Sequence, residues 1–327
     1  MIRRHARRIA AFTLFGTVVV FAASLSVDRD AVSRLFGAGE RVSKAEAHFD
    51  ASWSRAPVWD DGLAEISIFD ATRPVDGAPQ RYTATFVITK ELLDPRRLAP
   101  VDSSNEPRRL IPVLKLNVIE EVAAQGASLS ALTSTYVRRD DPRRLVRANC
   151  SRQEWLGNTF EEIVVRGGEA RLSVSSYRAE AAGESHFDVR FGDLTTEQLP
   201  LALRGLRFRQ GLTATVRLLP PLSSGGPPPS APVPARIIVD GRETIAAAGG
   251  VLDTWRVFVE REGGEIDILW FDAAEMGGLV RWDAADGRRF NLVSRQRRCG
   301  TPALESHEIT KGEAGAPPIV SWIDSVG

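Results

Sequence analysis

The chain has 327 residues, with 42 lysine and arginine residues against 42 aspartate and glutamate residues, so its formal charge is zero. Its 43% hydrophobic content is enough for a large core, which excludes intrinsic disorder or a fibrous repeat for the chain as a whole. Only 2 cysteines and 4 histidines occur, too few for a zinc ribbon or a dense disulfide scaffold, and the balanced charge argues against a dedicated nucleic-acid-binding protein.

The first 26 residues have the three parts of an export signal. Four arginines and no acidic residue lie in this stretch, and an uncharged apolar run spans Ile9 to Leu25. Small residues at 22, 24 and 26 have the spacing of a signal-peptidase site. The alternative is a membrane anchor, since a full span takes about 20 residues. We expect an exported protein, periplasmic or secreted, with membrane contact only through residues 9–25 if the signal is not cleaved.

The remaining residues carry patterns typical of β-strands. Apolar or aromatic side chains alternate with threonine and valine over residues 82–89, and shorter alternations occur at 64–68 and 114–118. We therefore predict a mainly β fold of antiparallel meanders, forming a curved half-barrel or sandwich with one or two short helices.

Local signals predict the turns and helices. The predicted hairpin turns are Gly167-Gly168, Asp240-Gly241, Gly263-Gly264 and Asp286-Gly287. Thr195 and Gln198 have the spacing of a capping box and predict a helix that continues to Leu206. A second helix is predicted over residues 30–47.

Composition divides the chain into six segments. They are a signal peptide or anchor (1–26), a leader (27–57), an N-terminal β-rich part (58–219), a proline-rich linker or loop (220–234), a C-terminal β-meander (235–299) and a tail (300–327). Seven prolines in the fourth segment prevent a regular sheet ladder there. Export permits a disulfide between Cys150 and Cys299, and the alternative is two isolated thiols.

Two groups of motifs carry a resemblance to exported bacterial proteins. The first group is Trp255-x-Val257-x-Val259, Trp270-Phe271-Asp272, Leu279-Val280-Arg281-Trp282 and Asp286-Gly287-Arg288. The second is Trp59-x-Asp61-Gly62-x-Ala64-Glu65, Pro112-Val113-Leu114-Lys115-Leu116-Asn117, Thr133-Ser134-Thr135 and Gln153-Glu154-Trp155-x-Gly157. The chain resembles an exported family of unknown function, similar in shape to lipoprotein-carrier half-barrels, some of whose members bear a septum-inhibitor (Maf-like) name. This resemblance implies a fold and a compartment, and no chemistry.

Residue types that carry catalysis are present without the spacing that catalysis needs. Adjacent acids occur at Asp60-Asp61, Glu120-Glu121 and Glu161-Glu162. Strand neighbours point to opposite faces, so neither of the last two pairs forms a single site by adjacency, and we predict solvated edges for them. The histidines (His5, His48, His186 and His307) lack metal-ligand spacing, and no nucleophile elbow or phosphate loop occurs. We expect no catalytic residue, no metal and no cofactor.

Aromatic residues of the C-terminal meander are candidate ligand-binding residues. They are Trp255, Phe258, Trp270, Phe271 and Trp282. Their spacing places large rings on both faces of the sheet, which leaves one face to line a groove for an acyl chain while the other packs the core. The alternative is that protein covers both faces.

An acid-Pro-Arg-Arg-Leu pentapeptide begins at Asp94, Glu106 and Asp141, each time at a predicted turn. In a simple meander, the loop 93–111 and the turn 139–143 emerge at the same end. Six arginines then share one rim, a candidate site for phosphate or other anions: Arg96, Arg97, Arg108, Arg109, Arg143 and Arg144. The alternative is a solvated turn cluster, since this chain uses arginine for nearly all its basic residues.

The leading hypothesis is a non-enzymatic exported β protein that binds a lipid or another envelope component, with no nucleic-acid partner. One alternative is a structural or interaction module of the cell envelope. Another is a carboxylate-dependent hydrolase, which requires two acids from different strands to converge in a cleft.

Overall fold

A computed structural model describes residues 45–75, 77–101, 110–124, 127–222, 231–274 and 276–299. The predicted signal, the predicted tail and nearly all of the predicted helix at 30–47 lie outside these ranges. Within them, no helix is both long and apolar enough to cross a membrane.

Strands dominate the described residues, which confirms the predicted mainly β class. The strands are β1 (Leu63–Val75), β2 (Ala78–Leu93), β3 (Ile111–Ala124), β4 (Ala127–Arg138), β5 (Asp141–Glu154), β6 (Gly157–Arg166), β7 (Glu169–Ser176), β8 (Gly183–Asp188), β9 (Thr213–Leu218), β10 (Val233–Ala247), β11 (Gly250–Arg261), β12 (Ile266–Asp272), β13 (Leu279–Asp283) and β14 (Arg289–Cys299). Two four-residue α-helices are α1 (Ser52–Arg55) and α2 (Leu199–Ala202). Short 3₁₀ segments are Ala45–His48, Pro57–Asp60, Ala179–Ala181, Thr196–Gln198 and Leu203–Gly205.

All fourteen described strands belong to one antiparallel sheet with the order β8-β7-β6-β5-β4-β3-β2-β1-β14-β13-β12-β11-β10-β9. β1 pairs with β14, with Glu65 opposite Arg297, so the predicted N-terminal and C-terminal β parts share one sheet. β9 pairs with β10, with Leu218 opposite Val233. Val233 and Pro234, the last two residues of the proline-rich segment, are the first residues of β10, and residues 223–230 lie outside the described ranges.

Three of the four predicted hairpin turns are confirmed. Gly167-Gly168 joins β6 to β7 with φ values of 60° and 87°, a left-handed conformation that glycine adopts without strain. Gly263-Gly264 and Asp286-Gly287 join β11 to β12 and β13 to β14. The prediction at Asp240-Gly241 is wrong: the pair lies inside β10, where the register with β11 shifts between Val239 and Gly241. The turn follows at Ala248-Gly249, both with positive φ.

The sheet curls so that its two edges approach each other without closing into a barrel. Leu194, six residues beyond the end of β8, forms an isolated bridge with Leu218 of β9. Its amide donates to the carbonyl of Arg217 at 3.0 Å, and its own carbonyl accepts from the amide of Leu219 at 2.7 Å. The segment after one edge strand is thus bonded to the other edge strand.

The inner face of this curled sheet is filled by the chain itself. Residues 194–206 cross the interior, and Leu199, Leu201 and Leu203 are fully buried against side chains from both halves of the sheet. The predicted capping box at Thr195 and Gln198 is present, with both reciprocal hydrogen bonds at 3.2 Å. The predicted helix is confirmed in place but alternates between 3₁₀ and α turns.

Candidate functional site

The five candidate aromatic residues are divided between the two faces of the sheet. Phe271 and Trp282 belong to the main hydrophobic core, and Trp255 packs against that core, stacked on Phe208 with ring centroids 5.9 Å apart. Phe258 and Trp270 are buried on the opposite face. There the guanidinium groups of Arg256 and Arg281 lie over their rings, 5.6 and 4.7 Å from the centroids.

Protein groups therefore cover large aromatic residues on both faces. None of the five lines any of the cavities described below. In the structure these five residues pack against other protein groups. This is the arrangement of the alternative, in which protein covers both faces of the sheet.

An open cleft of about 530 Å³ lies where the β2–β3, β4–β5 and β6–β7 connections meet the segment after β8. These three connections lie at the same end of the strands, because every second turn of an antiparallel meander is at that end. The cleft is rimmed by five arginines: Arg138, Arg143, Arg144, Arg166 and Arg190. Its apolar wall consists of Leu98, Ile111, Leu145, Val146, Val165 and Val189. We call it the arginine cleft.

Two of the rim arginines are neutralised by neighbouring acids. Arg138 pairs with Asp140 at 2.7 Å, and Arg143 pairs with Asp141 at 2.8 Å. The Arg143 guanidinium is also held between the rings of Phe49 and Phe191, at 4.9 and 4.8 Å from their centroids. Phe191 is 53% exposed, so it extends the apolar wall towards solvent.

The other rim arginines form no ion pair with a carboxylate among the described residues, although Arg144 is close enough to Asp140 to help lower the pKa of that carboxyl. Arg166 donates to the backbone carbonyls of Pro95 and Arg96, at 3.1 and 2.6 Å, which orients its guanidinium without neutralising the charge. Arg144 and Arg190 are exposed. Asp193 also lines the cleft, but its carboxylate pairs with Arg217.

The predicted rim is thus reproduced in part. Arg143 and Arg144 line the arginine cleft, while Arg96 and Arg97 are exposed on the adjoining turn, where both amides donate to Asp94 Oδ1 at 2.8 Å. Arg108 and Arg109 lie outside the described residues. Sequence reasoning missed Arg138, Arg166 and Arg190, although the Gly167-Gly168 turn signal beside Arg166 located that residue at a strand end.

A second group of charged residues lies inside the curled sheet. Arg288 donates to Glu120 Oε2 at 2.9 Å and to Asp286 Oδ2 at 2.8 Å. The hydroxyl of Tyr82 donates to Glu120 Oε1 at 2.6 Å. Burial and the adjacent Glu120 carboxylate raise the pKa of Tyr82, so this hydroxyl keeps its proton.

Two cavities adjoin this group and share Asp286 and Arg288. The smaller, about 150 Å³, also contains Glu120, Cys150 and Arg152. The larger, about 300 Å³, contains Glu197, Arg261 and Asp267. We call the larger one the inner cavity.

The prediction of solvated edges is wrong for Glu120 and Glu161, which are each 2% exposed. Glu161 pairs with Arg152 at 2.9 Å, just as Glu120 pairs with Arg288. Adjacent strand residues do point to opposite faces, and Glu121 is exposed. The sequence did carry a signal for Glu120: by the period-two alternation of β3 it falls on the same face as the apolar residues 114, 116 and 118. Glu120, Glu161 and Glu197 line three different cavities, so these acids do not meet in one cleft as the carboxylate-dependent hydrolase requires.

The remaining candidate residues have ordinary partners. Asp60 pairs with Lys90 and Arg139, each at 2.7 Å, and Asp61 pairs with Arg297 at 2.8 Å. His186 lies between Glu184 and Glu169, each 2.7 Å from a ring nitrogen, and these acceptors raise its pKa. Within the described part of the chain no group of side chains is arranged to hold a metal ion.

The candidate disulfide is absent, and both cysteines are free thiols. Cys150 is buried in β5, and Cys299 is exposed at the end of β14. Four strands, β4 to β1, separate β5 from β14 in the sheet. At about 4.8 Å per strand spacing, the two sulfur atoms are too far apart to bond.

Comparison with protein-family models, with curated proteins and with solved structures finds no match to this chain.

Proposed function

We propose that this protein is an exported, non-enzymatic binding protein whose ligand is a phosphate-bearing lipid, held at the arginine cleft. The observation that carries the proposal is that three rim arginines without a carboxylate ion pair and an apolar wall share one cleft of about 530 Å³. That volume lies within the range typical of small-ligand sites, about 300–1,000 Å³.

The arginines fit the phosphate. A guanidinium forms paired hydrogen bonds to phosphate oxygens and keeps its charge at any physiological pH. Arg166 is already oriented by two backbone carbonyls, which reduces the conformational entropy that it loses on binding. Arg144 and Arg190 supply two more exposed guanidinium groups on the same rim.

The apolar wall fits the first part of an acyl chain. Leu98, Leu145 and Val146 are buried and form the inner part of the wall, and Phe191 is exposed beside it. A free phosphate ion leaves this wall unused, whereas a phospholipid covers it. The inner cavity is smaller, about 300 Å³, and its lining includes Glu197, Arg261 and Asp267 as well as apolar residues.

Vesicle flotation tests the binding. We expect the full chain to float with phosphatidylcholine vesicles that contain phosphatidylglycerol and to remain unbound with phosphatidylcholine alone. The double variant R144E/R190E should lose roughly tenfold or more in affinity, since each basic residue near an anionic membrane contributes about 1 kcal/mol.

A matched control separates the cleft from net charge. R209E/R298E makes the same change of charge at two exposed arginines outside the arginine cleft. The control should bind as the native chain does. Equal losses for both variants, or no binding to anionic vesicles, would contradict the proposal.

Export rests on the sequence of residues 1–26, and cell fractionation tests it separately. We expect the native chain in the periplasm or medium, and a variant with acidic residues at positions 3 and 4 in the cytoplasm. Recovery of the native chain in the cytoplasm would contradict export without bearing on the cleft.

A further inference from the structure

The inner cavity has a mostly apolar lining, and its charged groups include Glu197 and Arg261, which have opposite charges. Leu218 to Leu222, with Val233 and Ala284, form the apolar walls. Glu197, Arg261 and Asp267 each have one terminal atom that is shielded from solvent and has no hydrogen-bond partner within the described part of the chain, although the Asp267 atom is ion-paired with Arg261. Buried polar atoms in folded proteins almost always have a partner, so three in one cavity require an explanation.

Glu197 supplies an acceptor. Its Oε1 accepts from the amide of Leu222 at 2.9 Å, and its Oε2 is the shielded oxygen without a partner. Thr196, the preceding residue, places the two groups near each other, since its hydroxyl accepts from Arg261 Nη2 at 2.9 Å.

Arg261 supplies a donor. The residue is 9% exposed, and its Nη2 pairs with Asp267 Oδ2 at 2.7 Å. Asp267 is itself fixed, because its Oδ1 accepts from Trp282 Nε1 at 2.9 Å and from the amide of Ala285 at 3.1 Å. The second terminal nitrogen, Nη1, is the shielded donor without a partner. The guanidinium is therefore fixed in position while the two N–H bonds of Nη1 have no acceptor.

Glu197 and Arg261 do not pair with each other, although they line the same cavity. A ligand that satisfies both must donate a hydrogen bond at one end and accept one at the other. The volume of about 300 Å³ is at the lower limit for small-molecule sites.

We propose that the inner cavity binds a small zwitterion of the α-amino acid class, whose ammonium group donates to Glu197 and whose carboxylate accepts from Arg261. The apolar walls then contact an aliphatic side chain. This site is separate from the arginine cleft and does not depend on the function proposed above.

Binding to Glu197 depends on its ionisation. Burial raises its pKa to about 7, so the carboxyl must release a proton to accept from an ammonium group. The charged groups around it are Glu161 from β6, Arg261 and Glu265 around the β11–β12 turn, Asp267 from β12, and Asp286 and Arg288 from the β13–β14 turn. Affinity should rise roughly tenfold from pH 6 to pH 8, as the ionised fraction rises.

Titration calorimetry with three probes tests the proposal on the full chain. L-leucine carries both charged groups, isoamylamine carries only the ammonium, and isocaproate carries only the carboxylate. We expect L-leucine to bind at least tenfold more tightly than either single-charge probe. E197Q should lose at least tenfold in affinity for L-leucine, because the amide carries no charge.

The matched control is E121Q, which removes a carboxylate from an exposed position on β3. It should bind L-leucine as the native chain does. The proposal is overturned if L-leucine does not bind, if isocaproate or isoamylamine binds as tightly, or if E197Q binds unchanged. A crystal structure with only ordered water bridging Glu197 and Arg261 in the presence of saturating L-leucine would also overturn it.

Discussion

The backbone carbonyl of Asp188, the last residue of β8, accepts a hydrogen bond from Arg217 Nη2 in β9 at 3.2 Å. These two strands are the opposite edges of the fourteen-stranded sheet. Arg217 also pairs with Asp193 at 2.5 Å, and the Asp193 side chain is 4% exposed. One arginine side chain thus links the two edges across the opening of the curled sheet.

Replacing Arg217 should open this link. We expect R217M to lower the free energy of unfolding by about 2–3 kcal/mol, because it leaves the Asp193 carboxylate buried without its cation. Arg217 itself is a quarter exposed, which keeps the loss below that of a fully buried pair. Urea denaturation measures the change. As a control, R81M removes an exposed pair with Asp70 and should leave the free energy of unfolding nearly unchanged. If R217M and R81M lower the free energy of unfolding equally, the contact between the two edge strands does not stabilise the fold more than an exposed ion pair does.

The Glu65–Arg204 pair should control stability in acid. Arg204 Nη1 and Nη2 bind the two carboxylate oxygens of Glu65 at 2.9 and 3.2 Å, and the guanidinium lies over the rings of Trp53 and Trp59. Burial opposes ionisation of Glu65, but Arg204 outweighs it and holds the pKa of Glu65 below its usual value of 4.5. The folded state therefore binds this proton less readily than the unfolded chain does.

The sign of the pH effect follows from that lowered pKa. The pair's contribution is complete above the unfolded-state pKa and is lost as the pH falls below it. We expect E65Q to cost about 3 kcal/mol at pH 7 and much less at pH 3, measured by denaturation at both values. A cost that does not change with pH would contradict the ionic origin of the effect.

Glu197 should show the opposite pH dependence. Its pKa of about 7 exceeds the usual 4.5, so the folded state binds the proton more readily. The free energy of unfolding then falls as the pH rises from 4.5 to 7. E197Q removes this cost and should stabilise the protein by up to about 3 kcal/mol at pH 8, with no gain at pH 4. Thermal unfolding at the two pH values decides the matter, and destabilisation at pH 8 would refute it.

The two thiols should react differently in the native protein. Cys150 is 2% exposed, and burial raises its pKa, whereas Cys299 is exposed. We expect iodoacetamide to add one label to the native chain and two in denaturant, as measured by intact mass. Two labels on the native chain would show that β5 opens readily, and none in denaturant without reductant would reveal a disulfide.

Strands such as β2 were predictable because they carry a period-two pattern, whereas β5 was missed, and its first residues, 141–143, were predicted as part of a turn. The order of the strands was not, since nothing local in residues 63–75 indicates that β1 pairs with β14. The Asp240-Gly241 error has a local cause: this dipeptide favours a hairpin, but in β10 it accommodates a register shift between longer paired segments. The ladder with β11 continues on both sides, and its many hydrogen bonds outweigh the turn preference of two residues.

One of the charged sites was predictable from the sequence and the other was not. The arginine cleft was partly predictable because an antiparallel meander places every second turn at the same end of its strands. The inner cavity and the smaller cavity beside it were not, because Arg288, which lines both, reaches Glu120 across 168 positions of sequence. Arg261 and Thr196 are 65 positions apart. Such pairings arise from the curl of the sheet, and no spacing within the sequence encodes them.

The pairing of the first described strand with the last also dictates how the chain is made. During synthesis, β2 covers one side of β1 early, but the other side of residues 63–75 has no neighbour until β14 has emerged. Throughout that interval the nascent chain presents an open β-edge at what becomes the middle of its sheet. Completion of the fold is therefore a late, long-range event, slow compared with hairpin formation, and it makes newly synthesised chains vulnerable to edge-to-edge aggregation.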